Sequence, residues 1–146
     1  MLVQKKIYSK ILSFVFFCIL SNNLFCQEPL QFMKDFICGD INTKTEVLEL
    51  VQNFEEKIVI NEAAFDFIDS YFNLLKNEQS FKNLVYVAVK NIDSTTSSKN
   101  IGVVKKLFTN FEDENIKIAI IEGLPSLNGN ISEILSIINN YVDSSI

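Results

Sequence analysis

Lys82, Tyr86 and Lys90 stand at i, i+4 and i+8 of the chain, a spacing that puts two ammonium groups and a phenol on one side of a helix. Lys117 and Ile121 approach the same position one helix pair later. Such a strip offers cations to carboxylates and an aromatic ring of the kind enriched at interface hot spots. That is recognition chemistry. Glu62, Asp66 and Asp69, at i, i+4 and i+7, place three carboxylates on one helix face, opposite a stripe that includes Phe65. Their spacing reads as a solvated face, with the early acids helped by the helix dipole. Glu112-Asp113-Glu114 reads as acids at a helix N-terminus, and a calcium loop would need alternating oxygen ligands and a Gly at the bend.

Catalytic constellations are harder to assemble. The 146 residues contain no His, which removes the commonest acid–base residue and the commonest metal ligand. Four glycines, none clustered, exclude the usual phosphate loops. A serine nucleophile would need Lys or a carboxylate as its base, and no spacing suggests one. The expectation is a non-enzymatic chain with no catalytic residue, no cofactor and no metal site. Of three cysteines, Cys18 lies in an apolar run, Cys26 sits at the presumed cleavage point beyond it, and Cys38 stands alone further on, so neither an internal disulfide of the downstream domain nor a zinc spacing exists. Cys38, between Ile37 and Gly39, is expected as a small buried residue at a helix end.

The first 26 residues carry an address. Lys5, Lys6 and Lys10 form a positive start, Ile11 to Leu20 is an apolar run, uncharged and interrupted only by Ser13, and Ser21-Asn22-Asn23 breaks it. That is the layout of a secretory signal peptide, and it is short for a permanent span, which needs about 20 apolar residues. Three outcomes stay open: cleavage after Cys26 to release Gln27, acylation of Cys26 as in a bacterial lipoprotein, or an uncleaved signal anchor. Leu24-Phe25-Cys26 is somewhat similar to a lipobox but has a large residue before the Cys. Each outcome places residues 27–146 outside the cytoplasm, in the periplasm or cell envelope, with membrane contact only through Cys26 or the retained signal. Heavy use of Ile, Asn, Lys and Phe suggests an AT-rich bacterial genome.

Beyond residue 26 the chain keeps 10 lysines and no arginine against 18 acids, a net charge of −8. That balance argues against nucleic acid as a partner. The remaining length suits one domain able to bury a core without metal or disulfide.

Periodicity from Leu30 onward is helical. Leu30, Met33, Phe36 and Ile37 are spaced for a short first helix closed by Gly39. Thr43-Lys-Thr-Glu46 has the form of a capping box, followed by a stripe of Val47, Leu50, Val51 and Phe54. A third helix is predicted from about Asn61 (Phe65, Ile68, Phe72, Leu75) and a fourth from near Ser80 (Phe81, Leu84, Val85, Ala88, Ile92). After the polar tract Ser94–Ser98 comes a fifth with Val104, Leu107, Phe108 and Phe111. Asp113 caps a sixth carrying Ile116, Ala119, Ile120 and Leu124, which Pro125 stops. Asn128-Gly129 is a turn, and Asn130 with Glu133 opens a last helix bearing Ile134, Ile137, Ile138 and Tyr141. Residues 82–89 and 116–121 are rich in β-branched side chains and also admit a strand; the neighbouring caps favour helix.

The pattern repeats. At an offset of 32, Leu75 meets Leu107, Leu84 meets Ile116 and Ile92 meets Leu124, and a period of this size built from helix pairs is a solenoid signature. Within the second copy, Phe111 to Leu124 resembles the second helix of a HEAT repeat, with Asp113, Ile116-Lys117, Ala119 and Leu124 at the family's Asp, Val-Arg, Ala and closing positions. Lys stands for Arg, and Gly123 for the usual Ala. The resemblance implies an all-α fold, a short α-solenoid of about three HEAT-like helix pairs, with an irregular helical bundle as the alternative. It further implies a protein-binding or scaffold module, with Lys82, Tyr86, Lys90 and Lys117 as its candidate binding face. The alternative function is a Cys26-anchored lipoprotein with a structural role in the envelope. The scant polar capping after Tyr141 leaves self-association open.

Overall fold

The computed structural model describes residues 29–127 and 131–144, so the expected signal segment, Cys26, Gln27, the Asn128-Gly129 turn and the Asn130 cap lie outside the described residues. Within them the chain is all-α. Seven α-helices are present: α1 Pro29–Cys38, α2 Ile41–Leu50, α3 Lys57–Leu75, α4 Gln79–Lys90, α5 Ser98–Asn110, α6 Glu114–Gly123 and α7 Ile131–Ser144. Short 3-10 turns follow α2 and α6, and no strand occurs among the described residues, which settles 82–89 and 116–121 as helix.

Every substantial helix–helix contact among the described residues joins a helix to its successor or to the next but one. The even helices pack α2 on α4 on α6, and the odd helices α1 on α3 on α5. α4 lies at the centre of the even row. Phe81, Leu84, Val85, Ala88 and Val89 on it are fully buried, against Leu48 of α2, Phe65 and Ile68 of α3 and Ile120 of α6 within one core. Burying each of these side chains other than Ala88 contributes about 1.5–3 kcal/mol. α7 adds Ile137 to this core, and Tyr141 meets Phe108 of α5 edge-on, ring centroids 5.6 Å apart.

Several expectations are corrected at element ends. α2 starts at Ile41, before the expected capping box, because Asp40 is the N-cap: its Oδ1 accepts from the Thr43 N–H at 2.8 Å. Thr43 and Glu46 therefore sit inside the helix. α2 ends at Leu50, and the tighter 3-10 turn Val51–Asn53 breaks the 3.6-residue stripe. Val51 stays buried, while Leu50 and Phe54 turn to solvent. α3 begins at Lys57, four residues ahead of Asn61, with Ile60 buried in its first turn. In α1 the buried pair is Phe32 and Phe36, so Ile37 and Cys38, one and two steps of about 100° further round, are exposed. Cys38 ends its helix as expected but is not buried. Asp113 does cap α6, accepting from Asn115 and Ile116 N–H at 3.0 and 3.4 Å.

Polar ties fix the connections. Asn91, just past α4, donates to Leu48 O of α2 and accepts at its own carbonyl from Asn61 Nδ2 of α3, both at 3.2 Å and both buried. Asp93 organises the α4–α5 loop: Oδ1 accepts from the Thr95 N–H and hydroxyl, and Oδ2 from Lys57 Nζ at 2.5 Å. Partial burial works to raise its pKa, but the Lys57 and Thr95 bonds outweigh it and hold the carboxyl down at about 2. A carboxyl lowered in this way stabilises the fold above its unfolded value, and that support is lost as pH falls towards 2. The stability gap between wild type and Asp93→Asn, read from urea unfolding, is accordingly expected to narrow as pH drops from 4 to 2; a gap constant over that range would remove the clasp.

Two glycines give a second check. A Cβ on Gly39 would stand 2.5 Å from both Asp35 O and Thr43 Cγ2, whereas one on Gly102, in α5, meets nothing. Gly39→Ala is expected to cost about 1–3 kcal/mol through overpacking, and Gly102→Ala to gain about 0.5–1 kcal/mol through helix propensity, both read as shifts in thermal midpoint.

Candidate protein-binding face

α4 is buried on most of its circumference. Gln79, Asn83 and Lys90 are the exposed members, with Lys82 and Tyr86 half-buried among them. Its apolar positions are taken by three neighbours, so its polar residues collect in one strip. Along that strip Lys90 Nζ lies 5.2 Å from the centre of the Tyr86 ring, a cation–π contact. Gln79 Nε2 donates to Asn83 Oδ1 at 3.0 Å one turn apart.

The strip borders a groove of about 260 Å³ between the first turns of α4 and α6, where Gln79, Lys82, Asn83 and Tyr86 face Asp113 and Asn115. A smaller groove, 160 Å³, shares Lys82 and Asp113 and extends to Lys76 and Glu112. Lys82 thus stands where the two meet, and it makes no ion pair among the described residues. Ammonium, phenol and carboxamide groups in a groove can hold carboxylates and peptide units; the arrangement contains no nucleophile set against a base.

The structure brings three of the four candidate residues together. Lys82, Tyr86 and Lys90 share the strip, whereas Lys117 lines a separate groove of 420 Å³ with Phe108 and Thr109 of α5 and Asn140 and Asp143 of α7. Its Nζ lies 3.8 Å from Glu114. Lys117 is nonetheless the counterpart of Lys82. Burial along α4 and α6 superposes at an offset of 35 rather than 32, pairing Phe81 with Ile116, Val85 with Ile120 and Val89 with Leu124. In that register Lys82 falls on Lys117, Tyr86 on Ile121 and the α4 N-cap, Glu78, on Asp113. The acid that the 32-residue register leaves out of the first copy is therefore Glu78. Shifting by three residues preserves most i, i+3, i+4 matches, which is why hydrophobic spacing alone picks the wrong offset.

Asp40-x-x-x-Lys44 at the start of α2 has the same form as Glu78-x-x-x-Lys82 and Asp113-x-x-x-Lys117. Lys44 turns inward. Its Nζ donates to Gly39 O at 2.5 Å and Ile37 O at 3.3 Å, closing the end of α1, and lies 5.5 and 5.2 Å from the Phe36 and Phe67 ring centres. Burial holds its pKa below the ordinary lysine value, against the opposing charges of Cys38 and Asp40.

The carboxylate face of α3 has a structural partner. Asp66 receives Lys99 Nζ at 2.5 Å and Asp69 receives Lys106 Nζ at 2.7 Å, both from α5. No group of three or more His, Cys, Asp or Glu among the described residues is placed to hold a metal ion. No described helix is long and apolar enough to cross a membrane. Gln79, Asn83 and Asn115 went unread in the sequence; the 35-residue register, which sets the α4 and α6 first turns side by side, is the signal that finds them. No protein family, curated protein or solved structure matches the chain.

Because Lys82 and Lys90 make no ion pair among the described residues and Lys90 gives only its exposed cation–π contact to Tyr86, Lys82→Glu with Lys90→Glu is expected to change unfolding free energy by no more than about 1 kcal/mol per site. Chemical denaturation measures this directly, and a larger loss would make the strip a structural element.

Proposed function

We propose that this chain is a non-catalytic protein-binding module, a short α-solenoid of HEAT-like helix pairs exported to the bacterial cell envelope. The observation that carries the reading is the even row: three stacked helices that each open with an acid and a lysine one turn on. In α4 this leaves Lys82 unpaired beside Tyr86 and a carboxamide-lined groove. Consecutive stacking of each helix on the next but one supports the solenoid, since repeats of that kind contact only their neighbours. The step from such a scaffold to binding is an analogy of architecture, made specific by the groove's chemistry. Export rests on the lysine-flanked apolar run before Ser21.

The full chain, tagged at its C-terminus and recovered from the native envelope by affinity capture, is expected to bring down one stoichiometric protein. Lys82→Glu with Lys90→Glu is expected to reduce that yield at least about tenfold, the loss of two interface residues near hot-spot strength. Retention of the partner by the double variant would move the site off α4. A folded, monomeric chain with no partner would end the binding-module reading. The intact mass of the same sample reports processing: a chain beginning at Gln27 or at acylated Cys26 supports export, and an unprocessed chain in the cytoplasm contradicts it.

A further inference from the structure

The corner between α2 and α3 exposes apolar surface that the core does not use. Leu50 ends α2, Phe54 follows the 3-10 turn, and Ile58 and Val59 lie in the first turn of α3; each is 45–58% exposed. The turn is tight, with Phe54 N–H donating to Val51 O at 2.9 Å and Lys57 N–H to Phe54 O at 3.2 Å. Helical and 3-10 turns advance only about 1.5–2 Å per residue, so the four side chains crowd one corner. Phe54 is propped in place by Phe32 of α1, ring centroids 5.4 Å apart. Single exposed apolar residues are ordinary, but a cluster rimmed by polar groups marks an interaction site.

Four acids stand close to these residues along the chain. Glu46 and Glu49 of α2 and Glu55 of the turn are exposed, and Glu56 is half-exposed. None of the four is ion-paired among the described residues. Lys57, the nearest lysine in sequence, is drawn away to Asp93, and the α5 lysines Lys99 and Lys106 are committed to Asp66 and Asp69. The four carboxylates are thus left for a partner to pair.

We propose that this corner docks a basic amphipathic segment of a partner protein. Its apolar residues would lie on Leu50, Phe54, Ile58 and Val59, and its lysines or arginines would meet Glu46, Glu49, Glu55 and Glu56. Charge complementarity selects this occupant: carboxylates beside exposed apolar side chains favour a cationic segment, and an acidic one would be repelled. An amphipathic helix laid apolar side down is the binding mode that such a surface fits. The corner is opposite in chemistry to the α4 strip and built from different helices, so the two sites stand or fall separately.

A fluorescent peptide of leucine and lysine in helical amphipathic spacing, and its leucine–glutamate twin, are titrated with the full chain at physiological salt and followed by anisotropy. The lysine peptide is expected to bind and the glutamate peptide not to. Leu50→Ser with Phe54→Ser, and separately Glu49→Lys with Glu55→Lys, are each expected to weaken binding at least about tenfold, as truncated hot spots do. Lys82→Glu with Lys90→Glu is expected to leave it unchanged. The charge variants alter exposed carboxylates only, so they hold the test even where the serine variants cost stability. Binding undiminished by the charge variants would reduce it to general attraction to an acidic protein and overturn the proposal. So would a dimer in sedimentation velocity that dissociates on Phe54→Ser, or zero-length cross-links joining Glu49 or Glu55 to Lys5, Lys6 or Lys10 of the same chain.

Discussion

The burial of α4 is the constraint on which the rest turns. Packed by α2, α3 and α6, it has to be apolar around most of its surface, and Phe81, Leu84, Val85, Ala88 and Val89 meet that demand with no exposed area. A helix so enclosed has only a narrow outlet to water. Gln79, Lys82, Asn83, Tyr86 and Lys90 occupy it, which is why the polar strip lies on a helix that is otherwise deeply buried. Side chains held on an element that cannot shift are pre-organised, and less freedom is lost when a partner arrives.

Around this apolar spine, polar groups set register rather than bulk stability. Asn91 links α3 to α2 inside the core, its side-chain amide donating to Leu48 O and its backbone carbonyl accepting from Asn61, and because an unmade hydrogen bond there would be costly the pair favours one arrangement of the three helices. The surface pairs Asp66–Lys99 and Asp69–Lys106 are exposed and contribute little, but both join α3 to α5 and keep the odd row in step. Lys44 shows how context redirects one motif. In α2 the lysine after the acidic cap folds inward over two phenylalanines and closes the preceding helix, while in α4 its counterpart lines a groove and makes no ion pair among the described residues. A lysine stem long enough to bury while its head finds acceptors makes both outcomes accessible.

Much of the fold was legible because the chain states it twice, in spacing and in caps. Val104, Leu107, Phe108 and Phe111 on α5, and Ile116, Ala119, Ile120 and Leu124 from α6 onward, are all buried as their periodicity demands, and Asp113 caps as its position implies. The N-terminal third was harder. Two signals competed at α2, and the nearer acid, Asp40, won over Thr43; a 3-10 turn then broke the stripe that should have carried Leu50 and Phe54 inward. At the face itself, Lys82, Tyr86 and Lys90 follow from spacing along one helix, whereas the groove depends on how α4 and α6 are staggered. That stagger is a tertiary quantity. A hydrophobic pattern nearly invariant to a three-residue shift does not contain it, and so Asn83, Asn115 and the separate setting of Lys117 emerged only from the packing.

The most direct test of α4 as a recognition helix places a photo-crosslinking amino acid at Asn83, which is exposed, borders the groove and bears on none of the core. Leu74, on the exposed side of α3, serves as the control position. Irradiation of living cells carrying the full chain is expected to give one discrete adduct from position 83 and none from position 74. Adducts of equal yield at both positions, or none at 83, would contradict the account.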